Sequence, residues 1–288
     1  MLVNLRDILA IAEQNNTALV AFNTPSLEAM RAALDAAEQA KLPLIMAHAE
    51  AHESFAPLRT TGPAMMALAE TATVPVCVHL DHAEHLSYIA EALDLGFTGV
   101  MYDGSYLPYD ENHKNSIAAR AMCNSYDAGL ECELGSMGSR EAGYKAEGGT
   151  AQEAGAIYTD PAQALEFIQA CGCDALACSF GTVHGIYKGK PQLKLGVLEE
   201  IRAHNQLPLV MHGGSGVSDE DYKRSIKSGI RKINYYTYGV LAAGAATTQL
   251  VHDREGAPLY WHDCTEAAYQ AMRKDFSHIL DVCSHPSC

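Results

Sequence analysis

Three histidines, His82, His184 and His212, each stand at or just past the carboxyl end of a short apolar run. Val76 to Leu80 leads into Asp81-His82, Ala175 to Gly181 leads towards His184, and Leu207 to Met211 runs directly into His212. Runs this short, bounded by proline and glycine, read as buried parallel strands rather than helices. The carboxyl ends of parallel strands converge on one face. Three neutral imidazoles meeting there predict a catalytic zinc site with an open coordination position, with cobalt or iron as substitutes. Asp81 adjoins the first histidine. A carboxylate there can reach a substrate oxygen bound to the metal and act as general acid/base, or it can orient a histidine ligand. Asp103 and Glu133 end two further strands, where they either hold a second cation or tune the charge around the histidines; Glu131 shares the strand parity of Glu133.

Two glycine-containing turns add a second kind of chemistry. Gly213-Gly214-Ser215-Gly216 follows His212, and Asn234 to Thr237 closes the last apolar run. In barrel enzymes the loops after strands seven and eight often bind phosphate through backbone amides. Lys188, four residues beyond His184, can supply a point charge. Other histidines are set aside: His79 lies inside a strand, and His85 stands where a helix begins.

These residues need a scaffold that brings strand ends together. The chain supplies it by strict alternation. Strands are expected at 19–22 (ending at Asn23), 43–47, 76–80, 99–102, 130–134, 175–181, 207–211 and 231–235. Helices are expected at 26–41, 63–73, 86–95, 112–128, from Asp160-Pro161 onward, 195–204 and 218–228, with a short amphipathic helix at 4–16 and closing helices at 237–251 and 262–282. Eight β-then-α units imply a parallel sheet with right-handed crossovers, and at 288 residues they favour a closed (β/α)8 barrel over an open sheet. No linker or repeat divides the chain, so 1–288 reads as one domain with extra carboxyl-terminal helices. The polar, glycine-rich stretch 135–159 is too long for an ordinary connection and reads as a mobile active-site loop.

Composition narrows the partners. A formal net charge of −15 argues against general affinity for nucleic acid or anionic membranes. No apolar run approaches the length of a membrane span, and the amino terminus lacks a secretory pattern. Nine scattered cysteines without paired spacing read as reduced, buried thiols of a cytoplasmic enzyme. Cys171-Gly172-Cys173 is too tightly spaced to be a metal knuckle.

Taken together, His79-Leu80-Asp81-His82, Tyr102-Asp103-Gly104-Ser105, Glu131 to Gly135, Gly181 to Lys188, His212 to Ser215 and Asn234 to Thr237 resemble, in order, the class II metal-dependent fructose-bisphosphate and tagatose-bisphosphate aldolases. The resemblance spans nearly the whole chain. It implies that His82, His184 and His212 bind zinc, that Asp81 is the acid/base at the aldehyde-derived oxygen, and that Asp103 and Glu133 form a secondary metal position. It further implies that Asn23, Gly185, Lys188, Gly213, Ser215, Asn234 and Thr237 hold the dihydroxyacetone phosphate half, with a monovalent cation nearby. Glu141 falls where the family has its proton-moving loop glutamate, and a homodimer or homotetramer is expected.

Three departures concern the far end of the substrate. The loop reads Gly138-Ser139-Arg140-Glu141-Ala142 instead of Gly-Gly-x-Glu-Asp. The end of strand two is His48-Ala49-Glu50-Ala51-His52 instead of a short serine-containing stretch. An arginine for a distal phosphate has no counterpart near the carboxyl terminus. The expected reaction is reversible cleavage of a ketose 1-phosphate or 1,6-bisphosphate, with zinc as Lewis acid, Asp81 taking the hydroxyl proton and Glu141 returning one to carbon. Two other readings stay open: a metal-dependent barrel hydrolase, or a non-catalytic barrel subunit that supports a partner aldolase.

Overall fold

The computed structural model describes residues 1–135 and 158–286. Eight parallel strands close on themselves in chain order: β1 (Leu19–Asn23), β2 (Leu44–Ala49), β3 (Val76–Ala83), β4 (Gly99–Tyr102), β5 (Gly129–Leu134), β6 (Ala175–Cys178), β7 (Leu209–Met211) and β8 (Ile230–Tyr235). β8 pairs back onto β1, with Ala21 opposite Asn234, so the sheet has no edge. The helices are α1 (Leu5–Asn15), α2 (Leu27–Ala40), α3 (Leu58–Thr71), α4 (Leu86–Asp94), α5 (Tyr109–Tyr126), α6 (Pro161–Cys171), α7 (Leu195–His204), α8 (Asp219–Lys227), α9 (Thr237–Asp253) and α10 (Trp261–Ser284). The expected (β/α)8 barrel is what the chain forms, with α10 as the extra carboxyl-terminal helix, packed on α2 and α9. Among the described residues no helix is long and apolar enough to cross a membrane.

The elements form where the local signals put them. Asn4, Ser26, Asp160 and Ser218 each accept a backbone N–H of the first turn behind them, and so satisfy a donor the helix leaves open. Several boundaries differ from the sequence reading, most of all the start of α3. α3 begins at Leu58 rather than near Pro63, because Glu53 Oε2 accepts the Leu58 N–H at 2.8 Å and caps an earlier start. Pro63 then lies inside the helix.

Strand alternation sorts the core into two parts. One parity faces the helices and joins the large outer core, including Val78, Leu80, Cys132 and Ile233. The other parity points into the barrel. At its amino-terminal end these residues are apolar (Ala21, Ile45, Cys77, Met101), and α1 seals them with Leu5, Ile8, Leu9 and Ala12. Each such leucine or isoleucine contributes about 1.5–3 kcal/mol by leaving water. One layer higher the interior turns polar, and the site begins there.

Candidate active site

His79, Glu131 and Lys232 are fully buried inside the barrel. Lys232 Nζ lies 2.9 Å from Glu131 Oε2, and His79 Nε2 lies 3.5 Å from the same oxygen. This charged layer is the floor of the site. Glu131 Oε1 accepts from His212 Nε2 at 2.8 Å. A carboxylate only accepts, so the proton of His212 sits on Nε2 and its Nδ1 lone pair points towards the barrel mouth. Lys232 also donates to Asn234 Oδ1 at 2.6 Å, which fixes the amide so that Nδ2 faces the other way. That Nδ2 donates to Asp81 Oδ1 at 2.8 Å and approaches His212 Nδ1 at 3.3 Å.

Asp81 is fully buried. Its second oxygen accepts from Asn23 Nδ2 at 3.0 Å. Burial alone would raise its pKa, but His82, His212 and Lys232 outweigh burial and hold the carboxyl far below its usual range. It is therefore a carboxylate gripped by two asparagines.

Simple alternation would place Asp81 and His82 on opposite faces of β3. The register of β3 against β4 shifts between Leu80 and Ala83, and His82 takes a left-handed φ of 46°. This turns both side chains to the mouth. A non-glycine residue there carries strain of order 1–3 kcal/mol, which the surrounding contacts must offset. His82 Nδ1 donates to Asp103 Oδ2 at 2.8 Å, so its Nε2 points inward, 2.7 Å from His212 Nδ1. His184 completes the group: its ring centroid lies 4.9 Å from that of His82 and 6.0 Å from that of His212, and one ring nitrogen from each of the three falls within 4.8 Å of the others. Burial pulls the His82 pKa down, but Asp81, Asp103 and Glu133 outweigh it and raise it to about 10. Burial and the His82 charge lower that of His212. The pair shares a proton at the spot where carboxylates and lone pairs converge.

His82, Asp103 and Glu133 form a second convergent set. Glu133 Oε2 lies 4.0 Å from His82 Nδ1, and burial with the neighbouring Asp103 raises its pKa well above the ordinary value.

The glycine turns pack tightly beside this group. A Cβ on Gly213 would fall 2.4 Å from Val183 O, and one on Gly214 would fall 2.6 Å from Asn234 O, so only glycine lets the three loops touch. Ser215 Oγ accepts the Tyr236 N–H at 3.0 Å, and Tyr187 Oη donates to Gly213 O at 2.8 Å. Thr237 opens α9, whose first-turn amides face the same end as these loops. Gly185 is buried next to His184. Lys188 is exposed, outside the buried network. Glu141, Arg140 and most of the 135–159 stretch lie outside the described residues.

Sequence reasoning passed over His79 and Lys232 and grouped Glu131 with Glu133. The structure places Glu131 under His212 instead. Parity was the available signal: His79 with Asp81, and Lys232 with Asn234, lie two residues apart on strands already predicted.

The matched family model is that of "Fructose-bisphosphate aldolase class-II", over residues 3–286. The chain belongs to this family. It is 36% identical over 251 residues to a Bacillus subtilis protein named "Probable fructose-bisphosphate aldolase", covering 86% of each chain. It is 34% identical over 257 residues to a "Fructose-bisphosphate aldolase" of Staphylococcus epidermidis, covering 88% of this chain and 87% of the relative. Among solved structures, the YdjI aldolase from Escherichia coli K12 superposes with a TM-score of 0.84 at 30% identity, covering 98% of this chain and 97% of that one. The protein is thus a metal-dependent aldolase, a carbon–carbon lyase acting on a sugar phosphate.

Proposed function

We propose that this aldolase uses zinc held by His82, His184 and His212 to cleave a ketose 1-phosphate or 1,6-bisphosphate into dihydroxyacetone phosphate and an aldehyde. The observation that carries the reading is the pair of carboxylate contacts, Asp103 on His82 Nδ1 and Glu131 on His212 Nε2, which turn His82 Nε2 and His212 Nδ1 towards one point beside the Asp81 carboxylate. Three imidazole nitrogens with carboxylates behind two of them suit zinc by donor type. The bound ion supplies Lewis acidity to the carbonyl and to the oxyanion that bond cleavage leaves.

Asp81, ionised and held by Asn23 and Asn234, takes the proton from the hydroxyl that becomes the aldehyde. Asp103 orients His82 and, with Glu133, offers the secondary cation position. Asn23 and Asn234, once substrate enters, can turn donors from Asp81 to substrate oxygens. Gly185, Gly213, Ser215 and Thr237 present backbone and hydroxyl groups to the phosphate, with Lys188 as a neighbouring charge. Glu141 is proposed as the residue that protonates the carbon. Exhaustive chelation should abolish turnover and zinc should restore it, whereas borohydride with substrate should leave no covalent adduct. Full activity in metal-free protein refutes the proposal.

The aldehyde end of the substrate is where this chain departs from the family pattern. His48 is bonded to Thr61 and Tyr88 at 3.0 Å each, and Glu50 is bonded to His85 at 2.5 Å, so both are occupied structurally. His52 differs. It is fully buried, neither ring nitrogen has a hydrogen-bond partner among the described residues, and its ring lies 4.7 Å from Tyr236 beside the phosphate turn. Burial, then His48, lowers its pKa to about 4, so the ring is neutral at pH 7 and carries one donor and one acceptor for a substrate group on the phosphate-turn side. A panel of ketose monophosphates and bisphosphates tests this. If fructose 1,6-bisphosphate wins by a wide margin and His52→Phe leaves every KM unchanged, the role of His52 is refuted.

A homodimer or homotetramer in the cytoplasm completes the proposal. Leu241, Val251 and Trp261 expose apolar surface on α9 and α10 for a second copy, and the eight described cysteines are free and buried, as in a reducing compartment. Light scattering of the purified chain checks the assembly.

A further inference from the structure

On the far side of β5 from the catalytic floor, a second group of donors converges. Cys132 sits between Glu131 and Glu133 but has the opposite parity, so its thiol faces the helices and not the barrel interior. Cys171 is the last residue of α6, and Cys173 lies just beyond it. Gly172 between them takes a left-handed φ of 66° and reverses the chain, which turns both thiols towards Cys132. The three sulfurs lie within 4.8 Å of one another, and all three residues are buried. At a metal–sulfur distance of about 2.3 Å, three thiolates round one ion stand about 3.8–4 Å apart, so small side-chain rotations suffice to close the site.

The turn that carries the thiols is held rigidly. Asp174 N donates to Leu130 O at 2.7 Å, and Asp174 Oδ2 accepts from Leu130 N at 2.7 Å and from Arg120 at 2.6 Å. A candidate fourth donor lies on the neighbouring helix α5. His113 on α5 has a buried Nε2 with no hydrogen-bond partner among the described residues. Its ring lies 6.0 Å from that of Phe167, one turn before Cys171 on α6, and it acts electrostatically on Cys171. A buried imidazole nitrogen without a hydrogen bond lacks the partner that buried polar atoms ordinarily have. Hydrogen bonds from the other two thiols favour the Cys171 thiolate.

We propose that Cys132, Cys171 and Cys173, with His113 as fourth donor, form a buried binding site for a thiophilic d10 cation, Zn(II) or Cu(I), separate from the catalytic site. The spacing of Cys171 and Cys173 alone is too tight for a metal knuckle; the third sulfur comes from β5, which is why sequence spacing hides it. Binding releases the thiol protons and ties β5 to the end of α6, so the ion clamps the outer wall behind Glu131 and Glu133.

The test uses the full-length protein, reduced, stripped of metal and titrated with Cd(II). Two equivalents should bind per chain, one of them with ultraviolet thiolate-to-cadmium charge transfer. The Cys171→Ser/Cys173→Ser variant should bind one equivalent without that absorption and keep its zinc-restored aldolase turnover. Cys173→Ala alone serves if the double variant does not fold, and should weaken the charge-transfer binding at least tenfold. Absence of charge transfer in the wild type overturns the proposal. So does its persistence in the double variant, or a disulfide joining Cys132 to either partner in protein purified without reductant.

Discussion

Replacing Lys232 by methionine removes the ammonium that pairs with Glu131 inside the barrel. Both groups are fully buried and lie 2.9 Å apart. Removing one partner of such a pair leaves an uncompensated buried charge and costs about 3–5 kcal/mol. At about 2.1 cal/mol/K per residue, a chain of 288 residues has an unfolding entropy near 0.6 kcal/mol/K, so Tm should fall by about 5–8 °C. The metal-free protein is the right sample for calorimetry, because bound metal would add its own stabilisation. The second step is Lys232→Met with Glu131→Gln. The amide oxygen introduced by Glu131→Gln can still accept from His212 Nε2, but the buried charge is gone. The double variant should recover about 2 kcal/mol over the single one. It should not recover turnover, because Asn234 Oδ1 has lost the donor that fixes its amide, and kcat should stay roughly 10–100-fold down, as for other residues that orient a metal centre. A single variant that melts within about 1 °C of wild type, or a double variant no more stable than the single, refutes the claim that this ion pair organises the floor.

Asp81→Asn keeps the shape of the side chain but cannot take a proton, so kcat should fall by roughly 10²–10⁴ while bound zinc, measured by mass spectrometry, stays at the wild-type ratio. Asp103→Asn frees the His82 ring from its carboxylate, and zinc affinity in competition with a chromophoric chelator should drop about 10–100-fold. Zinc uptake should also release protons. Asp81, Asp103 and Glu133 raise the His82 pKa to about 10 in the metal-free chain, so at pH 7 the ring carries the proton that the ion must displace. Calorimetric titration in buffers of different ionisation enthalpy reads it directly; binding at pH 7 with no proton transfer contradicts the shared-proton geometry.

Most of the fold is legible in the chain because its signals are local. Short apolar runs, helix caps such as Ser26 and Asp160, and stops such as Gly96 each act over a few residues. The start of α3 was hidden because its capping group, Glu53, belongs to the preceding loop and looks unremarkable in sequence. Strands β6 and β7 are shorter than their apolar runs, since apolar residues also line the loops that carry His184 and pack round His212. In the site, the three histidines and Asp81 stood out because strand ends are readable. Lys232 and His79 did not, because a charge inside a strand makes sense only when its partner across the barrel is known. Glu131 was visible by parity, yet its partner His212 lies two strands away, a relation that only barrel closure creates. The thiol cluster was obscured for the same reason.

The left-handed turn at His82 has a wider consequence. Asp81, the proposed proton acceptor, and His82, the proposed cation ligand, are neighbours in the chain, so their separation is written into one peptide unit and its torsions. Swapping either side chain cannot retune that separation, and any insertion or deletion upstream in β3 would slide both together. Retuning this catalyst for new sugars therefore acts at the rim, in places like the loop after β2, and leaves the proposed coupling of base to ion as it is.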